Sequence, residues 1–560
     1  MSEKPARRRL PLRWLAVLLV TLIGGIAVLV YIVTGFALHD AARAWRNGHP
    51  AEAAIIAENG ARWFIRSSDY DQLLAIAYST AKKPELAAPH LENLARGGRI
   101  WFPVIPKSEV AQRLIAFGRY AEFLAYDQAV QERNEGPAVP LYRSAALASI
   151  GRISDAEAAF RDVDPGKVGA RQYGRLREAL VQRKRGAFPY VLDREGHTIA
   201  EYRFANSNVV AMDAAFAQMI DKGDGTLTIE SQLASLTAND NIETTMDRVV
   251  QGAALAALGG FRGSIVAIDP RTNEILAIAS APGRGPNANL AIEQQYDPGS
   301  IVKVLTALNG LESGVDVRSI FPYHCQGSLN IDGQRLADEL PLGHGALPDL
   351  DEALAVSCNG AFADLGLRIG ATRLQSFMTA AGFNRQINIG LASVPLGKSA
   401  GTMPNRYETA AYAAGMQHQT VTALHVAMLA AMTANRGVLT APRLLRARRS
   451  ILGDVVAGPP PQSSSRVASA EHAEAIVRAM ERVVSSPNGT GRRAAIDGFK
   501  VAMQTGTVSG PAGISSVIMA FAPADRPRIA FGLIAEDAGP AEYAGAKIAR
   551  DFLVAVEGRR

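Results

Sequence analysis

Residues 296–314 read YDPGSIVKVLTALNGLESG, and the spacing inside this stretch decides how the second half of the chain is read. Ser300 and Lys303 stand three residues apart. On a helix that places a hydroxyl and an amine on one face, within hydrogen-bonding reach. A lysine held neutral there can take the serine proton and leave an alkoxide-like nucleophile. The preceding Asp297, Pro298 and Gly299 are turn residues that open a helix with Ser300 near its N-terminus, where unpaired backbone N–H groups favour developing negative charge. Asp297 is expected to cap that helix. The same spacing recurs at Ser79 and Lys82, inside a helical repeat, and is assigned no role there. Setting, not spacing, separates the two.

Short apolar runs alternate with helical segments on both sides. SIVAID (264–269) and EILAIA (274–279) read as β-runs joined by the hairpin signal PRTN (270–273). Residues 516–521 and 528–534 read as the last strands, and a closing helix is expected over about 541–557. GPPPQSSS (458–465) is a surface linker within this domain. Before it, residues 186–245 carry short alternating runs and Gly-Asp-Gly turn chemistry, a β-rich connector.

The N-terminal third is different. No residue from 14 to 38 is charged, and at about 1.5 Å per residue such a run spans a hydrocarbon layer of roughly 30 Å. Lys4, Arg7, Arg8, Arg9 and Arg13 precede it, so the 1–13 tail is expected in the cytoplasm and the remainder outside. A cleaved signal peptide is the alternative; it has a shorter apolar core and a small-residue exit, and FALH (36–39) is a poor one. Residues 39–185 read as helices with a repeat. Gly48, Lys82, Gly118 and Gly151 sit in breaks at intervals of 34, 36 and 33 residues. Small residues Ala41, Ala75, Ala111 and Ser144 stand seven positions before them. Ala53, Ala87, Phe123 and Ala156 stand five after, Phe123 being the misfit. A period near 34 is the signature of stacked helix pairs, here TPR-like, best seen in SAALASIGRISDAEAAFRDVDP (144–165). A plain helical spacer is the alternative to a concave docking surface for a partner protein.

Composition bounds the rest. A chain of 560 residues suggests three or four units, and 48% hydrophobic with 20% charged residues fits a folded protein with one membrane segment. The net charge of +6 is a weak excess, concentrated near the N-terminus and over 171–185. That helix is either a solvated face or a patch for an anionic lipid or polymer. No aromatic-interleaved basic patch points to nucleic acid. Cys325 and Cys358 fit no metal spacing; free thiols are the default and a bridge the alternative. His344 reads as a loop residue rather than a base. Hydrolase elbow, zinc-protease and P-loop motifs are absent from the sequence.

Taken together, the motifs resemble the penicillin-binding proteins of the monofunctional, class B-like transpeptidase type. Ser300-x-x-Lys303, then Ser357-Cys358-Asn359, then Gln504-Thr505-Gly506 with Thr507 follow in the family's order. The stretch 244–283 is similar to the start of such domains, and 433–437 (TANRG) and 480–483 (MERV) match landmarks before the last motif. The resemblance implies an α/β (α+β) serine transpeptidase/β-lactamase-like fold over 246–557, with a mainly antiparallel sheet packed by helices. It implies a D,D-transpeptidase with no cofactor and no metal, acting on peptidoglycan stem peptides and binding β-lactams. The catalytic domain would lie outside the cytoplasmic membrane of a bacterium. Ser300 would be the nucleophile, Lys303 its base and Ser357 a proton relay, with Asn359 binding substrate and Lys303. Gln504, Thr505, Gly506 and Thr507 would line the substrate strand, the Ser300 and Thr507 N–H groups forming the oxyanion hole. Gln504 departs from the family's Lys-Thr-Gly. Lys500 is too far along the strand to stand in, whereas Arg492 or Arg493 can come from a loop. An inactive scaffold or sensor, and a carboxypeptidase, are the rival readings.

Overall fold

The computed structural model describes residues 12–62, 67–97, 103–203, 208–212, 214–217, 240–281, 289–390, 393–510 and 513–558. The Gly-Asp-Gly turn of the connector and the 1–11 tail lie outside them. The chain divides into two units, 1–187 with 238–240 and 449–457, and 188–237 with 241–448 and 458–560.

The first unit is helical. α1 (Leu12–Arg46) runs without a break through the expected boundary at residue 38, since no glycine or proline lies between Leu38 and Gly48. It is long and apolar enough to cross a membrane. Its character changes along its length. Leu18, Leu22, Ile26 and Leu29 are exposed, whereas Thr34, Leu38, Ala41 and Trp45 are buried by the helices that follow. The Tyr70 hydroxyl donates to the Thr34 carbonyl at 2.8 Å.

Among the described residues the unit has eight further helices: α2 (Pro50–Ala61), α3 (Ser67–Thr80), α4 (Pro84–Gly97), α5 (Lys107–Ala116), α6 (Tyr120–Ala129), α7 (Val139–Ser149), α8 (Ile153–Arg161) and α9 (Ala170–Lys184). The turns between α1 and α2, α3 and α4, α5 and α6, and α7 and α8 hold Gly48, Lys82, Gly118 and Gly151, with φ of 87°, 63°, 69° and 84°. Left-handed backbone of this kind ends one helix and starts the next at once, and it favours glycine. Ala41, Ala75, Ala111 and Ser144 are fully buried where the paired helices meet, and so is Phe123. Buried Lys107 pairs with Asp127 at 2.9 Å, which also binds Arg143 at 2.6 Å.

Among the described residues, the second unit holds two larger sheets and five two-stranded ones. The connector strands β1 (Ala187–Leu192), β2 (Thr198–Arg203), β3 (Asn208–Ala211) and β4 (Asn241–Thr244) pair in the order β4-β1-β2-β3, with β1 parallel to β4. β7 (Leu445–Arg449), from much later in the chain, lies on the other side of β4.

The central sheet uses β5 (Gly263–Asp269), β6 (Glu274–Ala281), β8 (Ala502–Gly510), β9 (Gly513–Ala522) and β10 (Ile529–Ala535) in the antiparallel order β8-β9-β10-β5-β6. Strands β10, β5 and β6 are largely apolar because both faces are covered, whereas the edge strand β8 carries polar residues. Ile265, Ala267, Phe531 and Leu533 face α10 (Arg248–Leu258) and α16 (Ala544–Glu557). Val266, Ile268, Ala530 and Ile534 face α11 (Val302–Glu312) and α14 (Ala423–Ala434). Gly532 allows α14 to lie against β10; a Cβ there would come within 2.4 Å of the Ala423 carbonyl. The expected hairpin at 270–273 is present, with Asn273 at φ 54°. The expected linker at 458–465 is only in part a linker, since Ser464 and Ser465 pair with Thr440 and Leu439.

Candidate active site

Three separate pieces of backbone build the site around Lys303: two reach its amine and the third borders them. The first is a single 3₁₀ turn, Gly299–Ile301, that leads directly into α11. Its N-cap residue is Pro298 and no side chain caps it. Asp297 therefore does not have the capping role expected of it: the proline occupies the position from which a side chain would cap. Gly299 adopts φ 58°, and a Cβ there would crowd Val508 and Gly506. The turn brings the Ser300 hydroxyl to 2.9 Å from the Lys303 Nζ.

The second piece joins α12 (Leu350–Ala355) to α13 (Asn359–Ile369). Ser357 lies in it with φ 60°, a left-handed conformation that costs a non-glycine residue about 1–3 kcal/mol and persists only where surroundings enforce it. The turn is held by the Ser357 N–H donating to the Leu354 carbonyl and the Cys358 N–H to the Ala353 carbonyl, each at 3.1 Å. The strained turn aims both its carbonyl and its hydroxyl at Lys303, at 2.6 and 3.0 Å from Nζ. Asn359 Oδ1 lies 2.6 Å from the same nitrogen, oriented by its own Nδ2 donating to the Ala337 carbonyl at 2.9 Å.

Four acceptors around one amine decide how its protons are arranged. The Ser357 carbonyl and Asn359 Oδ1 can only accept, and they are the two shortest contacts. A neutral amine spends its two N–H bonds on them and leaves its lone pair to the hydroxyls of Ser300 and Ser357. Lys303 is fully buried. Burial pulls its pKa down to about 8, opposed by the negative charge of Asp338. Asp338 is the site residue that the motifs did not reveal. It accepts from the Asn359 N–H at 2.8 Å and from the Cys325 thiol at 3.5 Å, with His344 Nε2 3.4 Å away. Burial works to raise its pKa, but His344 and Lys303 hold it down at about 2. His344 is a loop residue, as expected, whose ring faces Asp338. The Cys325 and Cys358 thiols are buried, unbridged and 2.8 Å apart. Cys325, Asp338 and His344 offer ligand-type atoms within 4.8 Å of one another and are the side chains here able to hold a metal.

The third piece is the edge strand β8. Gly506 lets it lie beside the Ser300 turn, since a Cβ would come within 2.7 Å of the Pro298 carbonyl and 3.4 Å of the Ser300 nitrogen. Gln504 is fully buried. Its Nε2 stands 3.4 Å from the Ser300 carbonyl and 3.5 Å from the Ser357 hydroxyl, both long, and its Oε1 has no hydrogen-bond partner. Thr505 Oγ1 donates to Thr490 Oγ1 at 2.7 Å, and Thr507 Oγ1 accepts from the Ala541 N–H at 3.1 Å. Thr490 was also missed, because nothing in its local sequence separates it from an ordinary turn residue. Lys500 pairs with Glu481 at 3.8 Å and is exposed, so it does not replace the absent lysine. A cleft of about 510 Å³ beside Val356 is lined by Glu339, His344, Asn488, Thr490 and Glu542.

Residues 263–555 match the penicillin binding protein transpeptidase domain family. The chain is similar to the peptidoglycan D,D-transpeptidase MrdA of Acinetobacter baumannii, 27% identical over 410 residues that cover 62% of this chain and 60% of that protein. It is also similar to the peptidoglycan D,D-transpeptidase PbpA of Mycolicibacterium smegmatis, 29% identical over 339 residues, 53% of this chain and 68% of that one. The chain thus spans less than two thirds of the MrdA relative's length. Among solved structures, penicillin-binding protein A from M. tuberculosis, as its ceftriaxone acyl-enzyme complex, aligns with a TM-score of 0.59 at 21% identity, covering 66% of this chain and 98% of that one. The D,D-transpeptidase domain of a peptidoglycan glycosyltransferase from Eggerthella lenta aligns with a TM-score of 0.59 at 24% identity, covering 67% and 100%. These structures show a shared fold. With more than half of its residues inside the family match, and that fold built around Lys303, the chain belongs to the penicillin-binding protein transpeptidase domain family.

Proposed function

We propose that the chain is a membrane-anchored serine D,D-transpeptidase of peptidoglycan that is acylated by β-lactams. The observation that carries this reading is the 2.9 Å contact between the Ser300 hydroxyl and a fully buried Lys303 amine whose two N–H bonds are already engaged. In the step this supports, the lysine lone pair takes the Ser300 proton as Oγ attacks the carbonyl carbon between two D-alanines. The N–H groups of Ser300 and Thr507 receive the oxyanion, a donor of this kind contributing about 3 kcal/mol. The proton passes through the Ser357 hydroxyl to the leaving amine, the terminal D-alanine departs, and an ester remains on Ser300. An amine of a neighbouring strand then attacks the ester and the serine regains its proton. Asn359 binds the substrate amide, and Thr505 and Thr507 hold its carboxylate. The names of the curated relatives agree with this substrate class.

Labelled penicillin is expected to modify the protein at one site, and Ser300→Ala to abolish the label. An unlabelled wild type would favour a scaffold or sensor, the reading to which the uncharged Gln504 lends support. Product analysis with an added amine acceptor separates transfer from hydrolysis, since a carboxypeptidase gives only the shortened peptide.

The N-terminus is placed in the cytoplasm by its five basic residues. The helical region is read as a TPR-like docking surface for a wall-assembly protein. Its support is the recurrence of left-handed turns at 48, 82, 118 and 151 with buried small residues before each.

A further inference from the structure

The family's last motif places a cation beside the substrate carboxylate, and Gln504 removes it. Both motif threonines are nevertheless tied to segments that border positive charge. Thr505 bonds to Thr490, two residues before Arg492. Thr507 accepts from the amide of Ala541, two residues before Tyr543. The Arg493 guanidinium lies over the Tyr543 ring, 4.7 Å from its centre. Thr490, Arg492, Arg493, Glu542 and Tyr543 line a cleft of about 180 Å³. Thr490 and Glu542 also line the larger cleft beside Val356, so the two spaces share a wall. Arg492 donates one N–H to the Pro487 carbonyl at 3.1 Å. Neither arginine has an ion-pair partner among the described residues. Glu542 stands in the same cleft and offsets part of their charge.

Resting on the transpeptidase reading, we propose that Arg492 and Arg493 form the anion subsite of this enzyme, taking the substrate carboxylate in place of the missing motif lysine. A guanidinium suits the task because it stays charged at all relevant pH and presents a planar fork to a carboxylate. Stacking on Tyr543 restricts the Arg493 side chain, so less freedom is lost when the anion arrives. The consequence is a division of labour. In a lysine-bearing motif one residue serves both the carboxylate and the electrostatics of the base; here the carboxylate is bound from the wall of the cleft, and the ground beside Lys303 is left uncharged.

The test is the second-order acylation constant for benzylpenicillin and for its methyl ester, measured on the wild type, R492Q/R493Q, and R492Q/R493Q/Q504K. The preference for the acid over the ester is expected to fall about tenfold or more in the double variant, the scale of one lost charge-assisted hydrogen bond. The ester constant is expected to hold, which a merely structural defect would not allow. Adding Q504K is expected to restore the preference for the acid. An unchanged acid-to-ester ratio in the double variant overturns the proposal. Equilibrium binding of the same two compounds to Ser300→Ala proteins, with and without the arginines, reads the same discrimination without acylation. A failure of catalysis and a failure of the subsite are thus told apart.

Discussion

Lys303 has four oxygen neighbours and, when neutral, two protons to give them. Every substitution near it acts by changing that count or the charge it feels. Asp338 stabilises the protonated amine from within the same cluster, so Asp338→Asn is expected to lower the Lys303 pKa further and to move the rising limb of the acylation profile to lower pH. A pH series of acylation rates on that variant checks the direction; a limb moved to higher pH would mean that Asp338 acts mainly by fixing Asn359. Gln504→Lys places a cation by the Ser300 carbonyl and the Ser357 hydroxyl, and it too is expected to shift the limb to lower pH and to raise the rate at neutral pH. No gain there would mean that the native site already has the charge it needs. The motif residues of the site were legible because their motifs are local: Ser300 and Lys303 three residues apart, three positions on a turn, four on a strand. Asp338 and Thr490 were not, because each acts only through a contact made when distant segments close. Asp297 misled for a local reason, the proline that follows it.

At the scale of elements, the site is held by how closely one strand can lie to one turn. β8 is an edge strand, and its free side meets the backbone of 298–300 across Gly506. Helix α15 (Ala470–Ser485) packs on β8 and also on α12, so it fixes the strand relative to the Ser357 turn. Glu352 on α12 binds Arg482 and Ser486, each at 2.9 Å. Gly506→Ala is expected to push the strand from the turn and to reduce acylation about a hundredfold, the cost of misplacing a reacting geometry by an ångström. Stopped-flow acylation with a circular dichroism control checks this, and near-native acylation would show that the approach is looser than the backbone indicates. The strands themselves could be read from apolar runs, yet their order could not. Runs buried on both faces carry no alternation to tell one side of a sheet from the other, and the pairing of β7 with connector strand β4 joins residues about two hundred positions apart.

At the scale of the molecule, the first helix changes environment along its length. Residues 17–29 expose apolar side chains, and from Thr34 onward one face of the helix, with Leu38, Ala41, Ala42 and Trp45, is buried in the first unit. The charge-free run to Leu38 concealed this change, because a membrane and a protein core favour the same side chains. Removing residues 1–29 is expected to release the protein from membranes while acylation at Ser300 stays as in the full chain. Fractionation together with penicillin labelling checks both halves of that expectation; a truncated protein that still sediments with membranes would place the anchor elsewhere. The claim on which the rest depends is that a buried, neutral lysine activates Ser300. Lys303 is held at about 8, below the ordinary lysine value, so its neutral, reactive form grows as pH rises through that point. The direct measurement is the rate of benzylpenicillin acylation of the wild type between pH 6 and 10. A rate that climbs through a midpoint near 8 and then levels is the expected result. A profile flat across that range, or one that falls as the lysine loses its proton, would contradict it.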